Sequence, residues 1–179
     1  MKAIIIGCPG SGKSTFAREL NRITQIPLFY LDMIFHRADQ TTCSSEEFDE
    51  KLGLILREKE WVIDGNYART LPVRLQACDT VYWLRYPLEV CLEGIKARRG
   101  KPRIDMPWVE TEPDQEFLDF VKSFHTDYEP EMEKMLEQTK GKEIYVFSSR
   151  AEAAGYLKEL ENCMSARVEE KIMEFFQAL

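Results

Sequence analysis

Gly7-Cys8-Pro9-Gly10-Ser11-Gly12-Lys13-Ser14-Thr15 follows directly on the apolar run Ala3-Ile4-Ile5-Ile6 and spells G-x-x-x-x-G-K-[ST]. The run reads as a buried strand. Ser14 to Ile23 reads as an amphipathic helix with Phe16, Leu20 and Ile23 on one face. A strand, a loop of small residues and a helix, in that order, leave the first N–H groups of the helix unpaired and aimed into the loop. Those amides and the positive end of the helix dipole form an anion cradle. Gly7, Gly10 and Gly12 let the backbone approach phosphate oxygens with no Cβ in the way, and Pro9, Ser11 and Thr15 complete the loop. Lys13 reaches the outer phosphates, and the Ser14 hydroxyl is placed to bind Mg²⁺. The stretch predicts that the chain holds a nucleoside triphosphate, ATP with Mg²⁺.

The rest of the chain alternates in the same way. Ala3–Ile6, Leu28–Leu31, Trp61–Ile63, Thr80–Leu84 and Glu143–Phe147 read as short buried strands. Helical patterns lie between them at Ser14–Thr24, Ser45–Glu58, Leu71–Ala77 and Leu88–Arg99, with Ser44 or Ser45 marking one helix start. Strand and helix in alternation predict an α/β fold, a parallel sheet covered on both faces. From Gly100 to Gly141 no strand pattern occurs; a polar, proline-bearing segment leads into helical patterns at Asp114–Phe124 and Pro130–Gln138. Ala151–Glu161 and Met164–Leu179 are helical as well. The second carries Val168, Ile172, Phe175 and Leu179 near one face, a stripe expected to bury itself in the core rather than to serve an oligomer.

Length and charge narrow the function. A chain of 179 residues fits one domain with a core of its own. Its net charge of -7 argues against a bulk electrostatic grip on nucleic acid, so duplex DNA is not an expected partner. No apolar run is long enough to span a membrane, and the chain starts on a core strand rather than a signal peptide, so a cytoplasmic location is expected. Cys8, Cys43, Cys78, Cys91 and Cys163 form no C-x-x-C pair and no metal-ligand spacing with His36 or His125. They read as scattered reduced thiols. Cys8 reads as a small loop-filling residue, although a thiol inside a phosphate loop sits in positive potential.

Other residues separate the members of the phosphate-loop class. Strand two is expected to end at Asp32, in Phe29-Tyr30-Leu31-Asp32, and strand three at Asp64, in Val62-Ile63-Asp64-Gly65-Asn66-Tyr67. The carboxyl ends of parallel strands form the ligand crevice, so both carboxylates would share an edge with the phosphate loop. Asp64 suits a Mg²⁺ site, acting through a bound water opposite Ser14. Asp32 then faces the acceptor and serves as its hydrogen-bond partner or general base. Gly65 and Asn66 lie on the acceptor side, and Arg69 and Arg74 are placed to clamp acceptor phosphate or carboxylate groups. The run Lys96-Ala97-Arg98-Arg99-Gly100-Lys101-Pro102-Arg103 enters the strandless segment, where a lid over residues 96–113 would bring Arg98, Arg99 and Arg103 onto the transferring phosphate. Trp108 and Tyr67 either stack on a ring or pack.

In this order of motifs the chain resembles the nucleoside-monophosphate and shikimate kinase group. Asp64-Gly65-Asn66-Tyr67-Ala68-Arg69-Thr70 is similar to the Asp-Gly-Phe-Pro-Arg-Thr segment of adenylate kinases, though longer and without Phe-Pro. A nearer resemblance is to adenylate kinase-related bacterial proteins of the DNA topology modulation (FlaR) type. It rests on Ile26-Pro27-Leu28, Trp61 to Tyr67, Ala77-Cys78-Asp79-Thr80-Val81, Gly100 to Met106, Glu116-Phe117-Leu118 and Ser148-Ser149-Arg150. The resemblance implies a P-loop NTPase three-layer sandwich with a five-stranded sheet of order 2-3-1-4-5 and a helical lid insertion. It implies an ATP-dependent phosphotransferase acting on a small-molecule or nucleotide acceptor, and it sets Ser149 and Arg150 beside the nucleotide base. The alternative is a nucleotide-binding regulatory protein that phosphorylates little. The chain departs from the pattern at Arg85, in strand four, and at Glu93-Gly94, where another lid-side arginine would be usual.

Overall fold

Ala3 to Ile6 carries apolar side chains on both faces, which suits only a strand covered on both sides. The computed structural model describes residues 1–111 and 115–177, apart from the side chains of residues 171, 172 and 177. It sets this segment at the centre of a five-stranded parallel sheet of order β2-β3-β1-β4-β5. The strands are β1 (Lys2–Gly7), β2 (Leu28–Tyr30), β3 (Trp61–Asp64), β4 (Thr80–Leu84) and β5 (Glu143–Phe147). Ile4 pairs with Ile63 on one side and Val81 on the other, so the three most apolar strands are neighbours. The helices are α1 (Lys13–Thr24), α2 (Leu31–Phe35), α3 (Ser45–Arg57), α4 (Leu71–Ala77), α5 (Leu88–Arg98), α6 (Gln115–Ser123), α7 (Glu129–Glu137) and α8 (Arg150–Gln177). A π-helical turn, Phe124–Tyr128, joins α6 to α7.

Local chemistry accounts for the ends. Ser44 caps α3, its Oγ accepting from the Glu47 amide at 3.1 Å, so of the two candidate serines it is the first that serves. At the start of α8 the Glu152 amide donates to Ser149 Oγ at 3.2 Å, while the Glu152 carboxylate accepts from the Ser148 amide at 2.8 Å. Helix α1 has no side-chain cap and no acidic residue in its first turn, which leaves its N-terminal amides available.

Four expectations need correction. Strand two stops at Tyr30, and Leu31 and Asp32 open the short helix α2 instead of ending the strand. β5 is an edge strand with Ile144 and Val146 exposed, because it has a neighbour on one side only. The two C-terminal helical stretches are one continuous helix, since neither Asn162 nor Cys163 breaks the pattern. Its apolar stripe is not self-buried: Val168 and Phe175 are 55% and 63% exposed, the helix having run beyond the sheet that its first turns cover. Residues 112 and 113 of the expected lid, Asp114 at the expected start of α6, the Ile172 side chain and Leu179 lie outside the described residues. Among the described residues no helix is long and apolar enough to cross a membrane.

Candidate active site

The phosphate loop joins β1 to α1 at the carboxyl edge of the sheet. Gly10 and Gly12 both take positive φ, at 83° and 99°. Gly10 is also pressed against α5: a Cβ there would stand 2.1 Å from the Cys91 carbonyl oxygen. The contact is mutual, since a Cβ on Gly94 would stand 2.0 Å from the Gly10 carbonyl oxygen. Gly94, which departs from the expected pattern, is therefore a packing residue that lets α5 lie against the loop. Lys13 folds back along the loop and donates from Nζ to the carbonyls of Gly7 at 2.8 Å and Cys8 at 3.1 Å. Burial pushes its pKa down, and the charge of Asp64 works against that. The Ser11 hydroxyl is buried with no partner.

Asp64, the last residue of β3, is 5% exposed, and its Oδ1 is buried without a hydrogen-bond partner. Burial pushes its carboxyl up to about 6, against the pull of Lys13 and a hydrogen bond from Ser14. Asp105, from the segment that follows α5, competes with Asp64 for the single Ser14 hydroxyl proton. Burial works to raise Asp105, but the bonds from Arg103 and Ser14 hold it below the ordinary carboxylate value. Asp32 approaches from α2 and accepts from the Tyr67 hydroxyl at 2.8 Å. An unpartnered carboxylate oxygen beside a hydroxyl, with a second carboxylate across from it, is a donor set of hard oxygens and fits Mg²⁺.

The loop after β3 is held by side chains that were expected to touch substrate. Asn66 spans the base of the phosphate loop: its Oδ1 accepts from the Gly7 amide at 3.1 Å and its Nδ2 donates to the Gly7 carbonyl at 2.8 Å. Arg74 does not clamp an acceptor. It is fully buried, and its guanidinium donates to the carbonyls of Gly65 at 2.9 Å, Tyr67 at 3.0 Å and Asn66. Burial lowers its pKa to about 10. Arg69 turns away from the phosphate loop, forming a bidentate pair with Asp49 at 2.7 and 2.8 Å on the rim of a separate small hollow.

The remaining expected groups converge on one cleft of about 1300 Å³. Pro9 to Thr15 form its floor. Asp32, Asp64, Gly65 and Asn66 line one flank, and Arg98, Arg99 and Arg103 the other. Arg103 pairs with Asp105 at 2.5 Å and with Glu110 at 2.7 Å, and Arg98 lies 3.3 Å from the same Glu110 carboxylate. Arg99 donates to the Thr111 carbonyl at 2.7 Å. Trp108 packs edge-on against His36, with ring centroids 4.9 Å apart at 85°. Arg150 lines the cleft and donates to the Val90 carbonyl at 3.2 Å, whereas Ser149 is spent as the α8 cap. Arg85 faces elsewhere, stacked over Trp83 and paired with Glu129 and with Glu133. Asp105 is a site residue that the sequence does not single out. It sits in a charged stretch where one more acidic residue carries no periodic or motif signal.

No protein-family model and no curated protein sequence matches the chain. Solved structures do match. The shikimate kinase from Acinetobacter baumannii in complex with shikimate is 14% identical, with 93% of this chain and 94% of that one covered and a TM-score of 0.58. The shikimate kinase from Bacteroides thetaiotaomicron is 16% identical, with 92% and 98% covered and a TM-score of 0.54. That from Aquifex aeolicus is 17% identical, with 94% and 98% covered and a TM-score of 0.53. The likeness runs over nearly the whole chain and shows that the fold is that of P-loop kinases.

Proposed function

We infer that this chain is a kinase, binding ATP on Gly7 to Thr15 and moving its terminal phosphoryl group to a small-molecule or nucleotide acceptor. One observation carries the reading. A phosphate loop with its lysine shares a single cleft with two carboxylates, Asp32 and Asp64, on one flank and with Arg98, Arg103 and the Asp105 carboxylate on the other. A binding module needs the loop alone; a two-substrate crevice needs the opposite flank.

The groups divide the work. Lys13 exchanges the carbonyls of Gly7 and Cys8 for phosphate oxygens, and the uncapped amides of α1 hold the rest of the triphosphate. Ser14 and Asp64 would hold Mg²⁺, Asp64 through water; the metal supplies charge neutralisation across the outer phosphates. Asp32, steadied by the Tyr67 hydroxyl, accepts the acceptor's proton as its oxygen attacks. Arg98, Arg99 and Arg103 close over the phosphate, and Asp105 and Glu110 orient Arg103 until they do. The acceptor lies between Asp32 and Gly65, with Asn66 and Arg74 supporting the wall from behind. Arg150 borders the nucleotide base. The sequence resemblance supports kinship with the FlaR-type adenylate kinase relatives, and the negative charge argues against duplex DNA as the substrate.

The test is ATP turnover by the whole chain with a panel of nucleosides, nucleotides and hydroxy acids, shikimate included. Stimulation by one acceptor is expected, and Lys13→Ala should reduce it by roughly 10²–10³-fold while the fold is retained. Unchanged turnover in that variant would overturn the assignment. Tight nucleotide binding that no acceptor converts into turnover would favour the regulatory alternative.

A further inference from the structure

Behind the phosphate loop, on the side away from the nucleotide cleft, three side chains from distant parts of the chain meet. Cys8 comes from the loop itself, Cys91 from α5, and His125 from the π-helical turn. Their ligand atoms all lie within 4.8 Å of one another. Both cysteines are buried, at 1% and 0% exposure. The sequence carries no metal-ligand spacing here, because the three residues approach only through the packing of the loop on α5 and of the π turn on both.

The surroundings are those of a ligand set. Glu129 Oε2 lies 2.5 Å from His125 Nδ1. Glu129 is itself buried, and Arg85 pairs with it, so it stands as the acceptor for the Nδ1 proton. The proton of a neutral imidazole then sits on Nδ1, and the lone pair sits on Nε2. Nε2 is the ring nitrogen that is buried and has no hydrogen-bond partner. A carboxylate that fixes the tautomer of a histidine from behind is the arrangement that orients metal-binding imidazoles.

We propose that Cys8, Cys91 and His125 bind a thiophilic divalent cation, Zn²⁺ being the representative of the class, with Glu129 as the positioning residue for His125. Two sulfurs and one imidazole nitrogen select this class over Mg²⁺ or Ca²⁺, which take oxygen ligands. A tetrahedral ion with sulfur at ~2.3 Å and nitrogen at ~2.0 Å requires only that the three atoms draw together slightly, and it leaves a fourth position for water. Both thiol protons pass to solvent on binding, and no electron moves. The consequence is mechanical. The ion would tie the Cys8 backbone, whose carbonyl holds Lys13, to α5 and to the turn between α6 and α7.

The experiment uses the full chain, freed of metal by a chelator, reduced with a phosphine and titrated with Co²⁺ as the spectroscopic stand-in. One equivalent should produce sulfur-to-cobalt charge-transfer absorption and the visible bands of a tetrahedral site, and Zn²⁺ should displace it. Cys8→Ser and Cys91→Ser, both nearly isosteric, should each remove the charge-transfer band they contribute. Glu129→Gln should keep the spectrum but weaken affinity roughly 10- to 100-fold. Cys163→Ser, at an exposed thiol far from the cluster, should change nothing. Absence of the band in the reduced wild-type chain overturns the proposal, and that result needs no variant to fold. So does a band that persists in the Cys8→Ser/Cys91→Ser double variant. If Cys8 and Cys91 only form a disulfide once reductant is removed, and the reduced chain takes up no cobalt, the pair is a redox element and the metal site is refuted.

Discussion

Replacing Asp64 with asparagine should make the unliganded protein more stable at neutral pH while depriving it of turnover. The carboxyl is 5% exposed, one of its oxygens has no partner, and burial lifts its pKa from the ordinary 3.8 to about 6. A carboxyl with a higher pKa in the folded chain than in the unfolded one is better held with its proton on. The folded state therefore binds more protons through this window, and stability falls as pH rises from about 3.8 to about 6. At about 1.4 kcal/mol per pH unit, the difference between those two values is a destabilisation of ~3 kcal/mol at pH 7. Asparagine keeps the shape and loses the charge, so the variant escapes this cost. For a chain of this size each kcal/mol moves Tm by about 2–4 °C, and the expected gain is roughly 6–12 °C.

Thermal or urea unfolding of both proteins at about pH 7.5 and about pH 4 is the assay. Near pH 4 the wild-type carboxyl has taken up its proton in the folded state, and the gap between the two proteins should shrink below about 1 kcal/mol. A variant no more stable than wild type at neutral pH, or a gap of equal size at both pH values, would refute the reasoning. Mg²⁺ with ATP should narrow the neutral-pH gap from the other side, because a cation lying against the ionised Asp64 stabilises only the wild type.

Two further substitutions probe the scaffold. Gly94→Ala places a Cβ 2.0 Å from the Gly10 carbonyl oxygen, with backbone on both sides of the clash. The phosphate loop must shift, at a cost of about 1–3 kcal/mol, and nucleotide affinity should fall with stability; unchanged calorimetric affinity and urea midpoint would contradict the packing argument. Arg74→Met removes the donor to the carbonyls of Gly65, Asn66 and Tyr67. Stability should fall by ~3 kcal/mol as those carbonyls lose their partner. If Arg74 were instead an acceptor clamp, KM would rise with the unfolding midpoint unmoved.

The parts of this protein legible from its sequence are those encoded in short windows. The phosphate loop, a serine cap at Ser44 or Ser45, and the apolar periods of β1, β3 and β4 each depend on residues within a few positions of one another. The reading failed where a residue's role depends on what lies across the fold. Phe29-Tyr30-Leu31-Asp32 reads as a strand because its residues favour one, yet the chain turns into α2 after Tyr30 and puts Asp32 within reach of Tyr67. Arg74 reads as an acceptor clamp because it follows the Asp64 strand, and only the path of the Gly65–Tyr67 backbone shows why an arginine is buried there. Asn66 and Gly94 serve the same loop from opposite sides, and neither spacing carries a local signal. Asp105 is the clearest case: its neighbours in sequence are basic and apolar, and its partners are Ser14 and Arg103.

Unpartnered buried polar atoms separate these two kinds of role. The indole nitrogens of Trp61 and Trp83 are buried without acceptors. Each is a single neutral donor on a large apolar ring, where burial of the ring outweighs the missing bond. Asp64 Oδ1, Ser11 Oγ and His125 Nε2 are different in kind. Each can accept an electron-poor partner, each belongs to a side chain with little apolar surface to offset its burial, and all three adjoin the phosphate loop. Asp64 has the nucleotide's metal as a natural partner, Ser11 the phosphates themselves. His125 faces the opposite side, where Cys8 and Cys91 lie within reach. A loop bordered on both sides by groups that lack partners is held in place by the glycine contact with α5, by Asn66 and by the bonds from Lys13, which a phosphate would draw away. Its position should therefore respond to what binds on either side, and occupancy of the cysteine–histidine cluster should alter nucleotide affinity through Cys8 and Lys13.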